Sequence, residues 1–113
     1  SQAMNIVGDV KGKAAIVIDD MIDTGGTLVE GLKALQAAGA GPLLACATHP
    51  VFSGSAVERL QDSPAEKIVV TDSIPLSEEA QKCEKIIQLS VDELLAEAIR
   101  RIHDNESVSS LFV

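Results

Sequence analysis

The chain alternates short continuous apolar runs with segments in which apolar residues recur every three to four positions. Ala14-Ala15-Ile16-Val17-Ile18 is apolar and partly β-branched, and it stops at the carboxylate pair Asp19-Asp20 as a buried strand stops at a polar loop. Leu28, Leu32 and Leu35 then fall at helical spacing, which predicts a helix from Gly26 or Thr27 to Ala38, closed by Gly39. Gly41-Pro42 punctuates the chain before a second apolar run, Leu43 to Ala47. Strand, helix and strand at this spacing form a βαβ unit, whose crossover is right-handed.

The pattern repeats downstream. Ser55 and Glu58 match a capping box for a short helix carrying Val57 and Leu60, ended by Asp62-Ser63-Pro64. Ile68-Val69-Val70 reads as a third strand, leaving through Thr71-Asp72-Ser73-Ile74-Pro75. Ser77 to Lys85 is a solvated turn or short helix, and Ile86 to Leu89 a fourth strand. Ser90 and Glu93 make a second capping-box match for a final helix, with Asp92 and Glu93 at its start and Arg100, Arg101 and His103 at its end agreeing with its dipole. Val91, Leu94, Leu95, Ala98, Ile99 and Ile102 form its expected buried stripe. Asp104-Asn105 closes it, and Ser107 to Val113 reads as an extended tail. The expected class is α/β: three layers around a mainly parallel sheet. Parallel strands send their outgoing loops to one edge, so the loop after Ile18 and the segment Thr48-His49-Pro50-Val51-Phe52-Ser53-Gly54 should converge.

Composition narrows this picture. At 113 residues and 46% hydrophobic, with two Phe and neither Trp nor Tyr, the chain can bury one modest core of Ile, Val, Leu and Ala. A formal charge of −8 argues against nucleic acid and anionic membranes, both of which need a basic footprint. No apolar run approaches the roughly 20 residues a bilayer requires, and the expected address is the cytoplasm. Cys46 and Cys83 read as free thiols, without a Cys-x-x-Cys pair or clustered histidines to suggest a metal site. Ser1-Gln2-Ala3 before Met4 reads as a vector remnant, which leaves 4–113 as one domain.

The candidate chemistry lies in Asp23-Thr24-Gly25-Gly26-Thr27, between a strand's carboxyl end and a helix's amino end. The first amides of a helix lack internal partners and carry partial positive charge, so a phosphate can be held there largely by backbone. Two glycines allow close approach, and Thr24 and Thr27 add hydroxyl donors. A plain turn with an N-cap would use the same residue types. The ordered combination of strand, carboxylate pair, third carboxylate and Thr-Gly-Gly-Thr favours the binding reading. A sugar phosphate needs donors at one end and acceptors at the other. Thr24 to Thr27 can take the phosphate, and Asp19 and Asp20 can accept from ribose hydroxyls or act through a magnesium ion. Asp23 would repel a bare dianion; it accepts a ribose hydroxyl, braces the loop amides or acts through water. His49 reads as structural, and Arg100 and Arg101 as solvated dipole partners.

Ile16-Val17-Ile18-Asp19-Asp20-Met21-Ile22-Asp23-Thr24-Gly25-Gly26-Thr27 resembles the signature loop of the phosphoribosyltransferase-like (type I) proteins. The segments Thr48 to Gly54, Ile68 to Pro75, Leu94 to His103 and Glu106 to Phe112 narrow the resemblance to the carboxy-terminal part of the ribose-phosphate pyrophosphokinases, in order from about Val7 to the end. Three departures stand out: Gly25 replaces the usual Ala or Cys, Phe52-Ser53-Gly54-Ser55 the usual Ser-Gly-Pro-Ala, and Ser110 a common aromatic residue.

The resemblance implies pyrophosphoryl transfer from ATP, as its magnesium complex, to the 1-hydroxyl of ribose 5-phosphate, giving phosphoribosyl pyrophosphate for nucleotide biosynthesis. It places Asp19 and Asp23 to Thr27 against ribose 5-phosphate, and Ser107 and Ser109 at a site for regulatory ADP or phosphate between subunits of a homo-oligomer, a hexamer at full length. The family's catalytic lysine and arginine, with much of the ATP and magnesium site, match nothing in this chain, so no catalytic residue and no metal ligand is assigned here and the piece alone is expected to be inactive. A phosphoribosyltransferase would share the loop but carry a base-recognising hood, and a regulatory relative would keep the ribose-phosphate site without catalysis.

Overall fold

The structure, a computed structural model, describes residues 5–113; the expected vector remnant and Met4 lie outside the described residues. The chain runs β1 (Ala15–Ile22), α1 (Gly26–Ala37), β2 (Leu43–Pro50), α2 (Ala56–Asp62), β3 (Lys67–Thr71), α3 (Glu78–Lys82), β4 (Ile86–Leu89), α4 (Asp92–His103) and a 3₁₀ turn, Ser109–Phe112. The four strands form one parallel sheet in the order β1-β2-β3-β4. The α/β class and the parallel sheet are as the pattern predicts.

A sequential order built from crossovers of one hand puts every connecting helix on the same face of the sheet. Burial follows that rule. Leu43, Ala45 and Ala47 of β2 and Ile68 and Val70 of β3 alternate inward and close a core with Leu28, Val29 and Leu32 of α1 and Leu60 of α2. Ala80 of α3 joins Val57 and Cys83 at the β4 side. Small Ala45 and Ala47 lie fully inside this layer, and Phe52 is the aromatic ring packed against both clusters.

The other face is open among the described residues. Ile16 and Ile18 of β1 and Leu89 of β4 are exposed, Ile18 at 78%. The described residues therefore fill two of the three expected layers. The expected buried stripe of α4 is corrected by the same fact: no residue of α4 is buried, and Leu94, Leu95, Ile99 and Ile102 face solvent. The helix has the amphipathic pattern without a partner under it among the described residues.

Other boundaries move for identifiable reasons. β1 runs on to Ile22 and β2 to Pro50, because the ladder persists through Asp19↔Ala47, Met21↔His49 and Ile22↔Pro50. Backbone pairing tolerates the carboxylates there since their side chains stay in water. Neither expected capping box forms: Ser55 and Val91 occupy the N-cap positions without side-chain caps. Ser90 Oγ instead accepts from Asp92 N at 3.2 Å, and Asp72 accepts from Val91 N at 2.9 Å. The Asp72 carboxyl is held below its ordinary value, first by the Ser90 hydroxyl beside it and then by the Val91 amide. Ser77 caps α3, accepting from Ala80 N, which settles the Ser77–Lys85 segment as a short helix. The tail coils into its 3₁₀ turn rather than extending.

Ions hold the end of α4. Arg100 pairs with Glu97 at 2.7 Å, Asp104 at 3.1 Å and Glu106 at 2.9 Å, while Arg101 pairs with Glu97 at 2.9 Å. Hydrogen bonds from Arg100 and then Arg101 pull the Glu97 carboxyl from 4.5 down to about 2. A lowered carboxyl stabilises the folded helix above the unfolded value near 4.5, and that contribution fades as pH falls toward about 2. A carbon-detected NMR titration of the Glu97 carboxyl is expected to show a midpoint near 2, and a midpoint at 4.5 would contradict the network.

The two sheet faces give a second expectation. Ile68→Ala, in the covered layer, should cost about 2–5 kcal/mol in urea unfolding. Ile18→Ala, on the open face, should stay within about 0.5 kcal/mol of the parent. Equal losses would mean that the open face is packed in solution.

Candidate functional site

The loop that ends β1 turns into α1 through Gly25, whose φ of +81° marks the left-handed region. A Cβ there would meet atoms of Ala56 and Ile22 no nearer than 3.9 Å, so glycine is required by conformation rather than by crowding. Val29 N donates to Gly25 O at 3.0 Å and opens the helical ladder. The amides of Gly26, Thr27 and Leu28 lie ahead of it, where a helix supplies no acceptor. With them lies a cleft of about 250 Å³, lined by Asp19 and by Asp23 to Thr27.

The structure thus brings together six of the seven residues assigned to ribose and phosphate. Asp20 lies beside the cleft without lining it, its amide donating to Asp19 Oδ1 at 2.8 Å. Asp19 and Asp20 sit inside β1 rather than in a loop, and alternate residues of a strand face opposite ways. A second cavity of about 330 Å³ opens on the uncovered face, lined by Ile18, Cys46, Val69 and Leu89, and Asp19 lines it too.

The carboxylate of Asp23 accepts a hydrogen bond from Ser53 Oγ, and Ser53 N donates to Asp23 O at 3.0 Å. Phe52 N donates to Ile22 O at 3.0 Å, and Arg59 Nη1 to Thr24 O at 2.9 Å. Sequence reasoning missed Ser53 and Arg59. Their only signal is position, just after the strand whose outgoing segment was expected to converge on the loop. His49 Nδ1 lies 2.8 Å from Ser73 Oγ, which also reaches Thr48 O at 3.1 Å, so the ring is held against the β2 and β3 ends.

Among the described residues no cluster of three or more His, Cys, Asp or Glu forms a cage for a metal ion. Of the two carboxylates at the cleft, Asp23 is engaged by Ser53, and Asp19 alone would suit a magnesium ion held mainly by water and substrate oxygens. Ser107 and Ser109 do not line the cleft; they follow α4, with their hydroxyls 3.0 Å apart. Beside them Arg101 Nη1 donates to Ser107 O at 3.1 Å and to Ser110 Oγ.

The model of the phosphoribosyl synthetase-associated domain matches residues 1–113. The chain belongs to this family. It is 55% identical over 112 residues to a ribose-phosphate pyrophosphokinase of Bordetella pertussis, covering 99% of this chain and 36% of that protein. It is 57% identical over 112 residues to ribose-phosphate pyrophosphokinase 1 of Listeria innocua, covering 99% of this chain and 35% of that protein. The crystal structure of phosphoribosylpyrophosphate synthetase from Mycobacterium smegmatis superposes with a TM-score of 0.82 at 41% identity, over 88% of this chain and 33% of that one. This member of the phosphoribosyl synthetase-associated domain family therefore spans about a third of the length of the curated relatives it matches. The resemblance read from Ile16–Thr27 and the downstream segments is borne out.

Gly25→Ala tests the loop's conformation. The left-handed backbone should cost an alanine about 1–2 kcal/mol, read as a lowered urea midpoint. An unchanged midpoint would mean that the loop does not hold Gly25 at positive φ.

Proposed function

We propose that this chain is the ribose 5-phosphate-binding, carboxy-terminal domain of a ribose-phosphate pyrophosphokinase. One observation carries the reading: unpartnered helix-start amides and two threonines share a cleft with Asp19 at its lip. Thr24 to Thr27 take the 5-phosphate, and Asp19 accepts from the vicinal hydroxyls, with Asp20 alongside. Asp23 braces the loop through Ser53, one of the roles its position allows.

In the full-length enzyme the 1-hydroxyl oxygen of ribose 5-phosphate bonds to the β-phosphorus of ATP. The bond from that phosphorus to the oxygen bridging toward the α-phosphate breaks, AMP leaves and the hydroxyl proton is released. Magnesium supplies charge neutralisation at the phosphates. The chain's own part is to seat and orient the acceptor, which lowers the entropic cost of the encounter. Activation of ATP belongs to segments that the curated relatives carry beyond this match. The same reading places the enzyme in the cytoplasm as a homo-oligomer, hexameric at full length, with Ser107 and Ser109 near a site for ADP or phosphate.

The test is a titration of the isotopically labelled chain with ribose 5-phosphate while backbone amide shifts are followed. Perturbations should centre on Thr24 to Thr27 with a Kd in the millimolar range, about −4 kcal/mol, and unphosphorylated ribose should leave them unmoved. Shifts elsewhere, or none at millimolar ligand, would overturn the site. The same sample given MgATP and ribose 5-phosphate should release no AMP.

A further inference from the structure

The carbonyls of Ile22, Asp23 and Thr24 are consecutive, and all three are taken by one segment, Phe52 to Arg59. Phe52 N and Ser53 N each donate at 3.0 Å, and Arg59 Nη1 at 2.9 Å. In a trans peptide the N–H points opposite to the C=O of the same plane. Fixing these three carbonyls against the segment therefore turns the amides of Asp23, Thr24 and Gly25 away from it, where no strand or helix bond uses them. Two of the donors are backbone, built by the path of the chain. The third is a side chain from one turn into α2, and it fixes the Thr24–Gly25 plane next to the residue whose positive φ starts α1.

The segment is itself held in a costly shape. Phe52 has a φ of +50°, a left-handed conformation that non-glycine residues avoid, and Gly54 follows at +60°. Phe52 N reaches Ile22 O from that conformation, and Ser53 engages both the carbonyl and the carboxylate of Asp23. Backbone strain at the point of contact, together with three bonds to three successive carbonyls, marks a built brace rather than a chance neighbour.

We propose that Arg59 is a positioning residue for the loop: through Thr24 O it fixes the peptide plane that presents the Gly25 amide, so that the loop meets an anion already aligned. Its role in ligand affinity rests on the phosphate reading of the loop; its role in loop order does not. Arg59 is exposed, so its replacement leaves the core intact.

The experiment compares the 113-residue chain with Arg59→Met and Arg59→Lys. Backbone relaxation of the Gly25, Gly26 and Thr27 amides is read without ligand, and affinity is then read by titration with ribose 5-phosphate. Arg59→Met should keep the parent's urea midpoint, lower the relaxation order parameters of these three amides, and weaken ribose 5-phosphate about tenfold, the scale of one hydrogen bond to a charged group. Arg59→Lys, which can still reach a carbonyl, should recover most of both. The weakening should persist in 1 M salt, where the screening length is about 3 Å and a mere field effect of the lost cation would vanish. Unchanged order parameters in Arg59→Met, or a weakening abolished by salt, overturns the proposal. Should the parent itself fail to bind ribose 5-phosphate, the phosphate reading falls, and the relaxation data still decide whether Arg59 orders the loop.

Discussion

The parallel pairing of β1 with β2 is the constraint on which the site depends. Because the ladder persists to Ile22↔Pro50, the two strands release their outgoing segments side by side and at the same height. The first segment becomes the Thr-Gly-Gly-Thr loop, and the second has little freedom except to run along it. Every bond between them follows from that adjacency: Phe52 to Ile22, Ser53 to Asp23 and Arg59 to Thr24. A shift of one residue in register would turn Asp19 to the other face and break the alignment of donors with carbonyls.

One-sided layering explains most of what the sequence conveyed well and what it conveyed poorly. Apolar runs locate strands whatever covers them, so all four were legible. So was the loop, because Asp23-Thr24-Gly25-Gly26-Thr27 carries its chemistry in consecutive residues. Periodicity, in contrast, records which residues a helix keeps apolar and not what lies against them. Leu94, Leu95, Ile99 and Ile102 therefore looked like core and proved exposed. The capping boxes failed similarly, since Ser90 and Asp72 satisfy the start of α4 by a route that needs β3 beside it.

Arg59 and Ser53 were illegible for a further reason. Their partners lie 35 and 30 residues away, and each meets the loop only because strands pair. A single cation on a short helix carries no pattern of its own. The chain's charge of −8 makes that cation notable, since the surrounding field is unfavourable to a dianion. The fold answers with local geometry, pointing dipoles instead of adding net positive charge.

The open sheet face also bears on how the domain responds to temperature. The heat-capacity change of unfolding follows the apolar area newly released to water. Ile16, Ile18, Leu89 and the stripe on α4 are already hydrated in the folded chain and release little more. Unfolding should therefore show a heat-capacity change below the usual 12–15 cal/mol/K per residue, about what a smaller domain would give. The stability curve is correspondingly flat: shallow in its maximum, and slow to fall away on cooling or warming.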